Sequence, residues 1–204
     1  IELAEQIKPH RARFIPFAII NPAYPGWKKD FLYCTEKLGI KGLELYPCYH
    51  KYKLTDDNAV EILNMAAEKR IPVHLPCAVE NIRQRHWLDV KEDLSKEELK
   101  QVLPQCSDTD FIITNGPSVE ISGYLKPLTA NRKGRVFYDF ARVNALDSAF
   151  DNQVRAIGSE SVVFGSVMPL QYVETQLVKL WYSKLENEDK EKIMHKNLKE
   201  LLNI

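Results

Sequence analysis

Apolar and polar positions along the chain follow two rhythms. Short runs rich in Ile, Val, Leu and Phe alternate with longer stretches whose apolar residues return every three or four positions. Six short runs read as strands: Arg13 to Ile20, Gly42 to Tyr46, Pro72 to Leu75, Asp110 to Thr114, Arg135 to Phe140 and Ser161 to Phe164. They are apolar on both faces, as strands of a covered parallel sheet must be. Between them, Trp27 to Leu38 sets Trp27, Phe31, Cys34 and Leu38 on one helical stripe, and Gly39 then stops the helix. Asp56 to Lys69 places Ala59, Ile62, Leu63, Ala66 and Ala67 on one face, with Thr55 or Asp56 as cap. Ser95 followed by Glu98 is a capping box at the start of another helix. Further helices are predicted at Val119 to Leu128, Asn144 to Ala156 and Leu170 to Lys184. The last, Asn187 to Leu202, is polar and amphipathic and is expected across the outside of the fold.

Strand–helix alternation predicts an α/β fold. Residues Ile1 to His10 read as a helix feeding the first strand. The economical architecture is a TIM-type (β/α) barrel with six strands here and its first two strands upstream, since 204 residues fall short of the usual length of about 250. An open doubly wound sheet is the alternative. Asn21 to Gly26 form a Pro-rich loop, and no linker or repeat divides the chain, so residues 1–204 are expected to be a single, amino-terminally incomplete domain. Unpaired barrel edges would leave homo-oligomerisation open.

Composition narrows the function classes. Hydrophobic residues make up 45% and charged residues 27%, an ordinary globular balance. Lys plus Arg number 28 and Asp plus Glu 28, which gives no electrostatic reason to expect nucleic acid or an anionic membrane as partner. No run approaches the length of a membrane span. Cys34, Cys48, Cys77 and Cys106 are scattered and never form a C-x-x-C pair, which favours reduced thiols and a cytoplasmic location. Phosphate-cradling or dinucleotide-binding glycine loops are absent, and so is a G-x-S-x-G elbow; no cofactor is expected.

Five runs, in order, carry a resemblance: FIPFAIINP (14–22), LGIKGLELYP (38–47), RIPVHL (70–75), IGSESVVFGS (157–166) and EKIMHKNL (191–198). Together they resemble the amidohydrolase-related family. The resemblance implies an eight-stranded barrel with its active site at the carboxyl ends of the strands. Relatives are metal-dependent hydrolases and non-oxidative decarboxylases of aromatic acids. They hold a divalent metal through a His-x-His on the first strand, a His ending the fifth and an Asp after Gly-Ser on the last; a further His on the sixth assists catalysis. Here the first-strand pair would lie upstream. The fifth-strand position falls on Pro76, the sixth on Thr114 and the terminal Asp on Val167. Pro and Val carry no donor atom, and neutral Thr is a poor zinc ligand, so no metal site is expected.

Candidate groups remain at the strand ends. His74, two residues before Pro76, faces inward and is a displaced metal ligand, a general base or a buried structural His. Glu44 and Tyr46 alternate with Leu43 and Leu45, so both face the interior; Glu44 needs a partner, naturally an Arg from the following loops. Arg83, Arg85, His86 and Trp87 form a loop suited to a carboxylate or phosphate, or else an anchor to Glu44 or Asp139. Tyr46, Tyr49, His50 and Tyr52 recognise an aromatic or sugar-like ligand, or pack on one another as a lid. Asp139 ends a strand with Arg142 a turn away, as catalytic acid and binding group or as a self-contained ion pair. Asn115 follows Thr114 at the same face. Cys48 and Cys77 read as packing thiols.

Two functions follow. One is an amidohydrolase-related enzyme, a hydrolase or decarboxylase-like lyase with a degenerate metal site. Its small carboxylate-bearing substrate would be held by Tyr46, His50, Arg83, Arg85, His86, Asn115 and Arg142, with Glu44, His74 and Asp139 moving protons. The other is a barrel without chemistry, kept as a binding or assembly subunit.

Overall fold

A computed structural model describes residues 2–80, 85–89, 92–116, 125–143 and 148–204. Six parallel strands form one sheet in the order β1 to β6: Phe17–Ile19, Gly42–Glu44, Val73–Pro76, Phe111–Thr114, Val136–Asp139 and Val162–Val163. Each strand pairs with the next in sequence, without a reversal. A doubly wound sheet needs a switch point where the order reverses. The sheet is therefore the wall of a (β/α) barrel, with β1 and β6 as its two edges.

Five of the strands are shorter than their sequence runs, because hydrogen bonding stops where the loops diverge; the third keeps its length but is shifted by one residue, to Val73–Pro76. Strict alternation sorts their side chains onto two faces. Leu43, Leu75, Phe111, Val136, Tyr138 and Val162 face outward and share one core with helical residues such as Phe31, Ile62, Leu63, Leu99 and Phe150. Leu75 and Phe111 are fully buried there, and each such side chain contributes roughly 1.5–3 kcal/mol.

The helices that build this layer are Trp27–Glu36, Asp57–Glu68, Lys96–Gln105, Ala149–Ile157 and Val173–Tyr182. Part of the predicted Val119 to Leu128 and Asn144 to Ala156 segments lies outside the described residues. Ser95 caps its helix by accepting the Glu98 amide at 3.1 Å. The reciprocal half of the capping box does not form, because the Glu98 carboxylate accepts the Leu54 amide from the neighbouring loop instead. Asp56 stands at the N-cap of its helix, but its carboxylate accepts the Lys53 amide at 2.9 Å.

The final helical segment departs from expectation. It runs as Asn187–Glu191, a π-helical stretch Lys192–Lys196, and Asn197–Leu202. Ile193 joins the outer core. The last turns do not lie across the outside: Leu198 and Leu201 pack on the inward-facing Ile112, Phe137 and Val163. Asn197 fixes this placement by donating to the carbonyls of Ser159 at 2.8 Å and Val162 at 2.7 Å. Apolar inner-face residues near the amino ends of the strands need a cover, and this helix supplies it.

Candidate functional site

Inward alternation leaves polar groups near the carboxyl ends of the strands. Register pairs Glu44 with His74, His74 with Ile112, and Pro76 with Thr114. His74 Nδ1 lies 3.0 Å from Glu44 Oε1, and Nε2 lies 2.7 Å from Thr114 Oγ1. Tyr46 donates its hydroxyl to the same Glu44 oxygen at 2.6 Å. Burial by itself would raise the Glu44 carboxyl, but the His74 hydrogen bond and charge, with the Tyr46 hydroxyl, bring it below its ordinary value. Glu44 is therefore ionised at neutral pH and can only accept. In the neutral ring, Nδ1 carries the proton toward Glu44, leaving Nε2 as acceptor for the Thr114 hydroxyl. Phe17 stands edge-on to the ring at 6.4 Å. Gly42, its register partner, makes room, since a Cβ there would meet the Phe17 ring at 2.3 Å.

Sequence reasoning expects an arginine on Glu44. The structure supplies His74 instead, because the adjacent strand brings it into register while the arginines sit in loops beyond.

A cavity of about 310 Å³ opens beside this relay, lined by His74, Thr114, Asn115, Asp139, Ser166 and Val167 among others. Asp139 ends β5 and is buried; Oδ1 accepts the Asn115 amide at 3.1 Å. Burial pushes its carboxyl up to about 6, although the Asn115 amide and the His74 charge pull the other way. Asp139 thus titrates near neutrality, as a general acid or base requires. Gly165 is closely packed on it: a Cβ there would fall 2.4 Å from Asp139 Oδ2. The Asn115 Oδ1 is buried without a hydrogen-bond partner among the described residues. Val167 adopts a left-handed backbone with φ 55°, which strains a β-branched residue.

The other candidates take different places. Arg85 lines a neighbouring depression with Tyr46, Tyr49 and Pro76, away from the His74 cavity. Its guanidinium pairs with Asp93 and donates to the Glu80 carbonyl at 3.3 Å, so its partner is neither Glu44 nor Asp139. Arg142 makes no self-contained ion pair with Asp139; it donates to the carbonyls of Val79 at 2.9 Å and Glu80 at 3.1 Å. His86 is exposed and accepts the Leu88 amide at 3.2 Å. Arg83 lies outside the described residues.

The tyrosine loop packs on itself. His50 ends a short helix, Pro47–His50, stacks on Tyr52 with centroids 6.3 Å apart, and meets Tyr46 edge-on. Burial lowers the His50 pKa. Burial likewise holds Cys77 up at about 12 and raises Cys48, so both are neutral thiols.

A larger cavity, about 400 Å³, lies at the opposite end among Arg132, Lys133, Arg135 and Glu200. Barrel chemistry belongs to the carboxyl face, where His74, Glu44, Thr114 and Asp139 converge. Thr114, read from the sequence only as the occupant of the sixth-strand histidine position and a poor metal ligand, is the member not offered there as a site group, although its position two strands from Glu44 on the same face was readable.

The metal centre implied by the family resemblance does not fit these residues. Pro76 and Val167 offer no donor, and the Thr114 hydroxyl is engaged by His74. Among the described residues, no group of three or more His, Cys, Asp or Glu is placed to hold a metal ion. No helix among them is long and apolar enough to cross a membrane.

No family model matches the chain. No curated protein matches it either. Solved structures do. The 2,6-dihydroxybenzoate decarboxylase from Rhizobium is 12% identical with a TM-score of 0.73, over 99% of this chain and 75% of that one. A 5-carboxyvanillate decarboxylase from Novosphingobium aromaticivorans, solved with bound manganese and 3-methoxy-4-hydroxy-5-nitrobenzoic acid, is 14% identical with a TM-score of 0.75, over 100% and 70%. An uncharacterised TIM-barrel protein from Bordetella bronchiseptica is 16% identical with a TM-score of 0.77, over 99% and 71%. At such identities the likeness establishes the fold: this chain forms six consecutive β/α units of a TIM-type barrel.

Proposed function

We propose that the chain belongs to an amidohydrolase-related enzyme acting on a small carboxylate-bearing molecule at the carboxyl ends of the strands. The observation that carries this reading is the convergence of a Glu44–His74–Thr114 relay and a buried Asp139 on one cavity. Perturbed titratable groups clustered in a cleft mark candidate functional sites. His74 and Asp139 move protons, and Glu44 orients His74. Asn115 and Ser166 line the cavity and offer hydrogen bonds to a carboxylate. Arg142 lends positive potential from the next loop, where its charge already acts on Asp139. Two of the structurally similar enzymes are decarboxylases of aromatic acids, and one was solved with a nitrobenzoic acid, which supports that substrate class.

Hydrolysis or lyase chemistry both remain within reach of these groups, and neither step is routed through a metal. The competing role, a barrel kept for binding or assembly, draws on the missing donors at Pro76 and Val167. Isothermal titration with a panel of aromatic carboxylic acids, beginning with 2,6-dihydroxybenzoate, tests the site. Binding that weakens about tenfold in Asn115→Ala, the cost of a lost hydrogen bond to a charged group, supports it. Absence of binding by any member of the panel overturns it.

A further inference from the structure

Thr114 occupies an unusual position for a residue that merely replaces a histidine. Its hydroxyl is 2.7 Å from His74 Nε2, His74 Nδ1 is 3.0 Å from Glu44, and Thr114 lines the cavity that Asn115, Asp139 and Ser166 also line. Carboxylate, imidazole and hydroxyl in series are the parts of an activated nucleophile: the acid fixes the tautomer, the ring takes the proton, and the oxygen attacks. The three residues come from three adjacent strands, so the sheet itself sets their spacing. Rigid strands position such groups better than loops do.

We propose that Thr114 is a nucleophile whose hydroxyl is activated by His74, itself oriented by Glu44, for acyl transfer to water. Thr114 Oγ1 forms a bond to the acyl carbon of an ester or amide in the cavity while its proton passes to His74 Nε2. The bond to the leaving group breaks, and the leaving oxygen or nitrogen takes that proton. Water then attacks the Thr114 ester and gives a proton to His74. The acyl–Thr114 bond breaks, the proton returns to Oγ1, and a free acid is released. Atoms balance with water as the only co-substrate. Glu44 is a positioning residue here, since it acts through His74. The inference rests on the cavity being a substrate site, as proposed above, and deepens that reading by assigning it a covalent step.

Diisopropyl fluorophosphate, which esterifies activated hydroxyls, tests the proposal on the intact chain, read by intact mass and peptide mapping. One phosphoryl group is expected on the peptide containing Thr114, retained in Thr114→Ser and lost in Thr114→Val. Labelling should slow at least about 100-fold in His74→Gln and about tenfold or more in Glu44→Gln, the scale on which triad members act. Mapping to Ser166 or a tyrosine, or labelling that survives Thr114→Val, overturns the assignment. So does an unlabelled wild-type protein. If that protein still binds aromatic carboxylates by calorimetry, the nucleophile fails and the site stands; if it binds none, the site fails with it.

Discussion

Glu44 and His74 are register partners on adjacent parallel strands, joined by a hydrogen bond of 3.0 Å between Oε1 and Nδ1. The pairing places a carboxylate against a ring nitrogen without any loop residue. It also fixes the free nitrogen of the ring toward Thr114. The geometry is set by the sheet, so it should resist thermal motion better than the arginine contacts in the loops above it.

That pairing should be measurable as coupling. Glu44→Gln and His74→Gln are each expected to cost about 1–2 kcal/mol, with a coupling energy of about 1 kcal/mol in a double-mutant cycle by urea denaturation. The Glu44 carboxyl is held below its ordinary value in the fold, so its contribution is present above the unfolded-state pKa. It is lost as pH falls through the lower folded value. The difference between wild type and Glu44→Gln should thus be full at pH 7 and fade in acid; a constant difference down to about pH 3, below the usual Glu range, would contradict this.

Asp139 carries the opposite sign. Its folded pKa is raised from 3.8 to about 6 by burial. Its ionised form is therefore disfavoured by folding: stability is highest below the unfolded pKa and declines as pH rises through about 6. Asp139→Asn removes that penalty while keeping an acceptor for the Asn115 amide. The variant is expected to gain on the order of 2–3 kcal/mol over wild type at pH 8, and nothing at acid pH. Thermal unfolding across pH 4 to 8, the span over which a raised carboxyl titrates, measures it.

Gly165→Ala probes the wall of the cavity. The added methyl would meet Asp139 Oδ2 at 2.4 Å and its Cβ at 2.8 Å. Either the β5 end or the β6 loop must move, at about 1–3 kcal/mol. Combining Gly165→Ala with Asp139→Gly should restore most of that loss; equal loss in both backgrounds would locate the strain elsewhere.

Ser95→Ala provides a distant control. It removes the hydroxyl that accepts the Glu98 amide, at a cost of about 1 kcal/mol. Affinity for an aromatic carboxylate should not change, and a change would mean that the site depends on this helix.

Metal content supplies a further check on the donor chemistry. Protein purified without chelators is expected to carry less than about 0.1 equivalent of zinc, because tight sites need a complete ligand set. A full equivalent surviving dialysis would show that donors other than Pro76 and Val167 complete a centre.

Local order was written in the sequence. Short apolar runs placed all six strands, and the 3.6-residue stripes through Phe31 and Ile62 placed their covering helices, because both patterns arise from neighbouring residues. Alternation within those runs put Glu44, Tyr46 and His74 on the inner face, and Asp139 stood at the end of its strand. Only the tertiary structure decided which of them meet. His74 rather than an arginine reached Glu44, Arg85 turned to Asp93, Glu98 left its own helix for Leu54, and the last helix folded inward under Leu201. Such partners lie far apart in sequence. Strand register and the competition among buried donors and acceptors select them, and no local pattern encodes that contest.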